Sequence, residues 1–502
     1  ASAPARGSRE VLQPRPRPPR RRDGMMSSVL AAVGGFFRSA FAETCPIFYI
    51  FVPYWMLILT ALAVSPLTIL LPQLLQGKLT WPKADDVPDE WIINGKRYNL
   101  KSFYENHPGG SFPLRSAKGS DCTGLVESYH VFIDRDVFAK MLARFEIKDA
   151  PPADPPVMVF SDPFYEDLKK VAREHFKGQG RAGHKMTWPH VGLCFLAWAA
   201  MWAMIWALLT RNAMWTIPFI GFCSWYLTGN VMHDASHNAF VTTPWVNRLF
   251  SHAAFPYGVN VAGWQIQHVM SHHIYTNDED DVDLYHFDPL VTLEKGSGST
   301  TINPFLHMLR LTYLLSSAIP HLSLVVPYGL LFGQIDPAHG HRMYDRVKAI
   351  NHHRAELRWE ILGETGALLA YFLICYSYHG FMKALCCQMS IYVVSSYLFS
   401  FFTQVSHLQE ECFPDAKEKE KLSFAMRQVA SSKDFAADSP FWGHISGGLN
   451  TQAIHHCFPG ISAMHLRGMY PMFRQVCKKH GVNLKESPSL GDFVWGFVSF
   501  AN

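Results

Sequence analysis

Apolar residues in this chain are gathered into long blocks separated by polar stretches. Runs at 188–210 and 213–232, divided by Arg211-Asn212, and at 361–379 and 384–403 approach the roughly 20 residues an α-helix needs to cross a bilayer core. They predict four spanning helices. A weaker run at 313–335 contains Pro320 and Pro327 and predicts a re-entrant or interfacial segment. Residues 47–72 are almost entirely apolar and long enough to span, although Pro53 and Pro66 allow a bend or a hairpin instead. Between these blocks, 78–149 is polar and mixed, with strand-like Trp91-Ile92-Ile93 and a turn at Asn94-Gly95. The Pro-rich stretch Pro151 to Pro156 marks a boundary. Residues 408–502 carry no span, and no internal repeat is visible.

Composition agrees with the pattern. Of 502 residues, 48% are hydrophobic and 17% charged, against about 25% charged in soluble proteins. A mean hydropathy near zero, +0.01, requires polar domains interleaved with the membrane segments. The net charge of +4 gives no case for nucleic acid binding. Ten cysteines show no CxxC spacing, and several lie inside apolar runs. They read as small core residues in a reducing compartment. Residues 1–46 begin with an Arg- and Pro-rich run that cannot build a core; the segment reads as disordered or targeting. Residues 1–24 precede Met25 and Met26 and need not belong to the mature protein.

Histidine is over-represented, at 25 residues, and its placement carries chemistry. His233 and His237 follow the second spanning run at spacing i, i+4, which puts both imidazoles on one helix face. His268 and His272 repeat that spacing, with His273 turned about 100° away, so one helix turn can serve two metals. Gln452, His455 and His456 form a third cluster after the last span. His407 closes the fourth strong span at the same polar boundary and is a further candidate ligand. His352-His353 sits in a charged stretch and reads as a solvated interfacial face, and His444 reads as structural. Imidazole suits Zn, Cu, Fe and Ni alike, but seven histidines in three clusters exceed the demand of one zinc. A pair of metals fits better. A carboxylate-type di-iron bundle needs two Glu-x-x-His motifs, and the chain has one, Glu127 to His130. Histidine-ligated di-iron is the reading favoured here.

His107-Pro108-Gly109-Gly110 in the polar domain is followed by His130. Two axial histidines on a haem iron block its sixth position and favour electron transfer. Pro108 and the two glycines would turn the chain tightly enough for His107 to project into a pocket. With Trp91 to Tyr98 before it and Gly119 to Thr123 between the histidines, this stretch resembles the cytochrome b5 domain.

The combination of that domain with HxxxH, HxxxHH and QxxHH boxes resembles the front-end fatty-acid desaturases over about 78–480. His272 to Asn277, Gly447 to Asn450 and Gln452 in place of a histidine agree with that group. Two departures are the apolar run 47–72 and Cys457 directly after the third box. The resemblance implies an α-helical multi-span membrane protein with four core transmembrane helices, interfacial helices and a cytosolic histidine-rich cap, preceded by a small α+β cytochrome b5-like domain. It divides the chain into 1–46, the membrane segment 47–72, a haem domain at 78–149, a linker and pre-membrane helix at 150–186, and a desaturase domain at 187–502. It implies haem b on His107 and His130, and two non-haem Fe ions on His233, His237, His268, His272, His273, His407, Gln452, His455 and His456. Substrates would be O2 and an acyl-CoA or acyl-lipid, with NADH-cytochrome b5 reductase as donor, in the endoplasmic reticulum or alternatively a plastid. The rival readings are a sphingolipid desaturase, a fatty-acid hydroxylase with the same boxes, and a non-enzymatic b5-type electron carrier.

Overall fold

The computed structural model describes residues 67–77, 79, 88–156, 158–278, 280–284, 293, 304–332 and 354–500. The segment 1–46, most of 47–72 and His352-His353 lie outside these residues; the end of 47–72 falls in the helix Leu67–Leu75, whose leucines are largely exposed.

The N-terminal domain is built around a hairpin. Trp91–Ile93 pairs antiparallel with Lys96–Tyr98, in the register Trp91 to Tyr98. Asn94 and Gly95 both take positive φ, the conformation a tight two-residue hairpin demands. Trp91, Ile93, Tyr98, Leu100, Ala117 and Cys122 form the core beneath it, and the indole N–H of Trp91 donates to the Leu114 carbonyl at 2.6 Å. The domain closes with the helices Ser111–Ser116, Thr123–Tyr129 and Arg135–Leu142, the last capped by the Asp134 carboxylate.

By length and composition, four helices among the described residues can cross a membrane: Trp188–Arg211, Leu311–Phe332, Leu357–His379 and Phe381–Thr403. Three match expected spans. The fourth, Leu311–Phe332, falls on the weaker run, and the expected span 213–232 is a helix from Ile217 through Ser236 that carries Asn230, His233 and Asp234 in its last turns. Those polar residues dilute its apolar character without ending the helix. The prolines of Leu311–Phe332 do not interrupt its helix. Helix Pro304–Pro320 passes through a π turn at His321–Val325 into Val326–Phe332. The wider turn accommodates the missing N–H of proline, and the Leu322 carbonyl takes the Asn260 N–H at 3.4 Å.

Contacts between distant residues decide which helices cross. The Tyr129 hydroxyl lies 2.6 Å from His237 Nδ1, so an even number of crossings separates those residues. Trp188–Arg211 exposes Trp188, Phe195, Leu196 and Trp206, an apolar face made for lipid. The helix Ile217–Ser236 must therefore return the chain. His272 and His407 have ring centroids 4.8 Å apart, so the same rule holds between them. Among the described residues three helices of spanning length intervene, and an even number of crossings leaves one of them within the fold. Leu311–Phe332 has 89% of its apolar window buried in protein, against 17% for Leu357–His379, and is the one that stays within the fold.

A helical cap completes the molecule. Helix Pro163–His175, begun by Asp162 as N-cap and Pro163, buries Phe164, Tyr165, Leu168 and Ala172 against Leu466, Met469, Tyr470 and Phe473 of helix Ala463–His480. A two-stranded parallel sheet, Lys433–Phe435 with Lys485–Ser487, borders it.

Candidate metal centre

The three boxes sit on consecutive structural devices that aim them at one place. His233 and His237 end the helix returning from the membrane, directly after a π turn at Thr228–Met232. A second π segment, Gln265–His272, carries His268 and His272. The short helix Gln452–Cys457 carries the third box, and the chain just past Phe381–Thr403 supplies His407.

Two groups of imidazoles result. His233, His237, His268, His273 and His455 place one ring nitrogen each within 4.8 Å of one another, and His272, His407 and His456 do the same. The eight histidines are buried. His268 and His272 keep their i, i+4 proximity, rings stacked at 5.3 Å with Asp283 beside both, while His268 also reaches His273, their Nε2 atoms 3.0 Å apart. The π turn is the reason. With more residues per turn than an α-helix, positions five apart come onto one face.

Hydrogen bonds outside the cluster fix the second group. His272 Nδ1 lies 3.0 Å from Asp281 Oδ2 and 3.5 Å from Asp283, His407 Nδ1 donates to the Ser431 carbonyl at 2.8 Å, and His456 Nδ1 meets Gln428 Oε1 at 2.9 Å. With each Nδ1 held by an outer partner, the Nε2 atoms face inward, the arrangement metal-bound histidines use. Gln452 Nε2 stands 2.9 Å from His407 Nε2 and 3.1 Å from His456 Nε2. Turning the amide over puts its carbonyl oxygen at that convergence instead. In the first group both nitrogens of His233 and His455, Nε2 of His237 and Nδ1 of His268 and His273 have no hydrogen-bond partner. Buried imidazole nitrogens without partners are costly, and a bound cation would satisfy them.

Electrostatics points the same way. Burial first, then the neighbouring imidazoles, holds His237, His268, His273, His455 and His456 well below the ordinary histidine range, so they are neutral and ready to ligate. Burial would lower His272 too, but the carboxylates of Asp281 and Asp283 raise it to about 9. A carboxylate pair behind one ligand offsets part of the positive charge that metal ions bring.

His107 and His130 face each other across the N-terminal domain, ring centroids 6.1 Å apart. An iron between two imidazoles, with bonds of about 2 Å, asks for about that separation. His107 Nδ1 donates to the Gly110 carbonyl and His130 Nδ1 to the Val126 carbonyl, each at 2.8 Å, leaving both Nε2 atoms free. A Cβ at Gly109 would come within 3.0 Å of the His107 ring, so glycine is what lets the imidazole lie there. Leu100, Phe103, Leu125, Phe138, Leu142 and Phe145 supply apolar walls. This cavity, about 1550 Å³, continues past Tyr129 to His237. The site fits a haem.

Glu127 takes no part in the histidine clusters; it pairs with Lys169 at 2.8 Å and docks the domain on the cap. His444 stacks on His190 at 5.3 Å, away from the clusters. Sequence reasoning missed Tyr129, Asp281, Asp283, Gln428 and Asp434, and had Thr276 and Asn277 only as part of the flank that carries the resemblance. Asn277 donates to the His407 carbonyl at 3.1 Å, and Asp434 accepts from Ala453 N at 3.0 Å to start the third-box helix. The acidic run Asn277 to Asp283, separated from the second box by three residues, was the one available signal.

Comparison with known proteins adds a family. The profile described as fatty acid desaturase matches residues 209–488, and that of the cytochrome b5-like heme/steroid binding domain matches residues 82–150. The chain is 27% identical to an acyl-lipid omega-13 desaturase of Chlamydomonas reinhardtii over 453 residues, covering 82% of this chain and 93% of that one. It is 26% identical to an acyl-lipid (8-3)-desaturase of Physcomitrium patens, covering 78% and 84%. Identity to the delta(5) fatty acid desaturase A of Dictyostelium discoideum is also 26%, covering 82% and 90%.

Proposed function

The chain belongs to the fatty acid desaturase family, and from that premise we propose that it is a front-end desaturase acting on an unsaturated long-chain acyl group. The observation that carries this reading is the pair of buried imidazole groups beside a cavity shared with the His107–His130 pocket. A haem b held by those two histidines would supply electrons singly, and two non-haem Fe ions would supply O2 activation and abstraction of hydrogen from a CH2–CH2 pair.

The residues of this chain do the rest. His233, His237, His268, His273 and His455 would hold one ion. His272, His407 and His456, with Gln452, would hold the other. Asp281, Ser431 and Gln428 hold their imidazoles in the ligating tautomer. Burial of the whole cluster keeps bulk water from competing with the acyl chain.

The names of the relatives, acyl-lipid desaturases among them, favour an acyl-lipid over an acyl-CoA substrate. The proposal extends to NADH-cytochrome b5 reductase as the donor and to the endoplasmic reticulum membrane as the compartment. Expression in yeast fed a panel of polyunsaturated acids, followed by fatty-acid methyl ester analysis, tests it. A new cis double bond is expected, on the carboxyl side of an existing one. A hydroxylated product, or no change with any acid, would overturn it.

A further inference from the structure

We propose that Tyr129 is the positioning residue through which electrons pass from the His107–His130 pocket to the histidine clusters. The inference rests on the reading of that pocket as a haem site and of His237 as a metal ligand. Tyr129 and His130 are neighbours at the end of helix Thr123–Tyr129, so one peptide link joins the tyrosine to an axial-ligand candidate. On its other side, the Tyr129 hydroxyl is 2.6 Å from His237 Nδ1, and the two rings lie nearly parallel, 24° apart in plane with centroids at 6.2 Å. In the tautomer that leaves His237 Nε2 free, Nδ1–H donates to the phenol oxygen. The route is then imidazole, one peptide, one phenol, one hydrogen bond and a second imidazole.

The surroundings hold that route closed. Gly460, just beyond the third box, packs against the Tyr129 ring, where a Cβ would approach to 3.3 Å. Gly124, on the same helix, lets it settle on Ile274, one residue after the second box; a Cβ there would meet Ile274 at 2.8 Å. The hydroxyl of Tyr165 bridges the Glu127 and Cys457 carbonyls, at 3.3 and 3.1 Å. The haem-domain helix is thus held at three points against residues that flank the second and third boxes, and Tyr129 is a side chain it presents to a histidine. Each transfer oxidises one ferrous haem and reduces the metal pair by one electron. No bond is made or broken, and Tyr129 keeps its proton.

The test uses full-length protein in lipid nanodiscs, loaded with haem and iron, comparing wild type with Tyr129→Phe. Iron content and the reduced-minus-oxidised haem spectrum are measured first. The haem is then flash-reduced without oxygen, and its reoxidation by the metal centre is followed optically. Tyr129→Phe should keep both cofactors and slow reoxidation by about 10-fold or more, the scale on which ligand partners act. Reoxidation at the wild-type rate would overturn the proposal. So would loss of iron, which would make Tyr129 a prop for His237 only. A wild-type protein with no b5-type spectrum, or none of the iron, would instead strike the underlying reading of the two sites.

Discussion

Gln452 shows how much one side chain can separate two accounts of the same cluster. Its amide sits within 3.1 Å of two Nε2 atoms, and its Oε1 has no protein partner. Gln452→Ala should lose most desaturation in the feeding assay, whereas Gln452→His should retain part of it, since imidazole reaches the same space. Wild-type activity in the alanine variant would remove the residue from the site. The histidines themselves were legible because i, i+4 spacing at the end of an apolar run is a local signal. Their partners were not: Asp281, Gln428 and Ser431 meet them only through tertiary contacts, and nothing in the spacing marks a glutamine as a hydrogen-bond acceptor. A second residue-scale expectation concerns acid. Enclosure holds His130 down to about 4, with the Val126 carbonyl opposing. Between the ordinary value of 6.5 and about 4, the unfolded chain binds a proton that the folded domain refuses. The stability of haem-free protein should therefore fall as pH drops through that window and level off below it, as urea titrations across pH 7 to 3.5 would measure. A flat profile would count against an enclosed, neutral imidazole.

At the scale of elements, two short pieces carry more than their length suggests. The π segment Gln265–His272 brings His268 beside His273, an i, i+5 pairing that no α-helix reading of the sequence anticipates because it is set by packing. The six-residue helix Gln452–Cys457 is too short to be stable alone. It depends on Asp434, whose carboxylate takes the Ala453 N–H and the Tyr470 hydroxyl and which burial lifts to about 7. Asp434→Ala should cost about 1 kcal/mol for the lost cap and about 1–3 kcal/mol for the stranded hydroxyl. Asp434→Asn, which keeps an acceptor for Ala453, should lose less. Thermal melts with iron analysis check both; equal losses in the two variants would deny the cap. The apolar blocks gave the long helices almost to the residue at Arg211 and His379, where Asn212 and Gly380 take positive φ. The weaker run at 313–335 was legible as a segment, but its unbroken helix was not, since proline reads as a break until a wider turn absorbs it.

For the whole molecule, the crossings follow from which residues meet. If Leu311–Phe332 stays within the fold, Arg354 lies on the same face as the His107–His130 domain, and Lys383, beyond helix Leu357–His379, lies on the other. Cysteines placed by Arg354→Cys and Lys383→Cys should label with an impermeant maleimide from opposite sides of sealed vesicles, over a low background because the described native cysteines are buried. Labelling of both from one side would reverse the topology. The seat of helix Thr123–Tyr129 on Ile274 has a kinetic corollary. A donor carried on the same chain stands at an effective concentration that dilution cannot lower. Spreading the protein thinly through a membrane would leave this internal step unchanged, while every encounter with an external reductant became rarer. In a sparse membrane the overall rate would then be first order in that reductant, and the chain would wait for electrons, not for their passage within it.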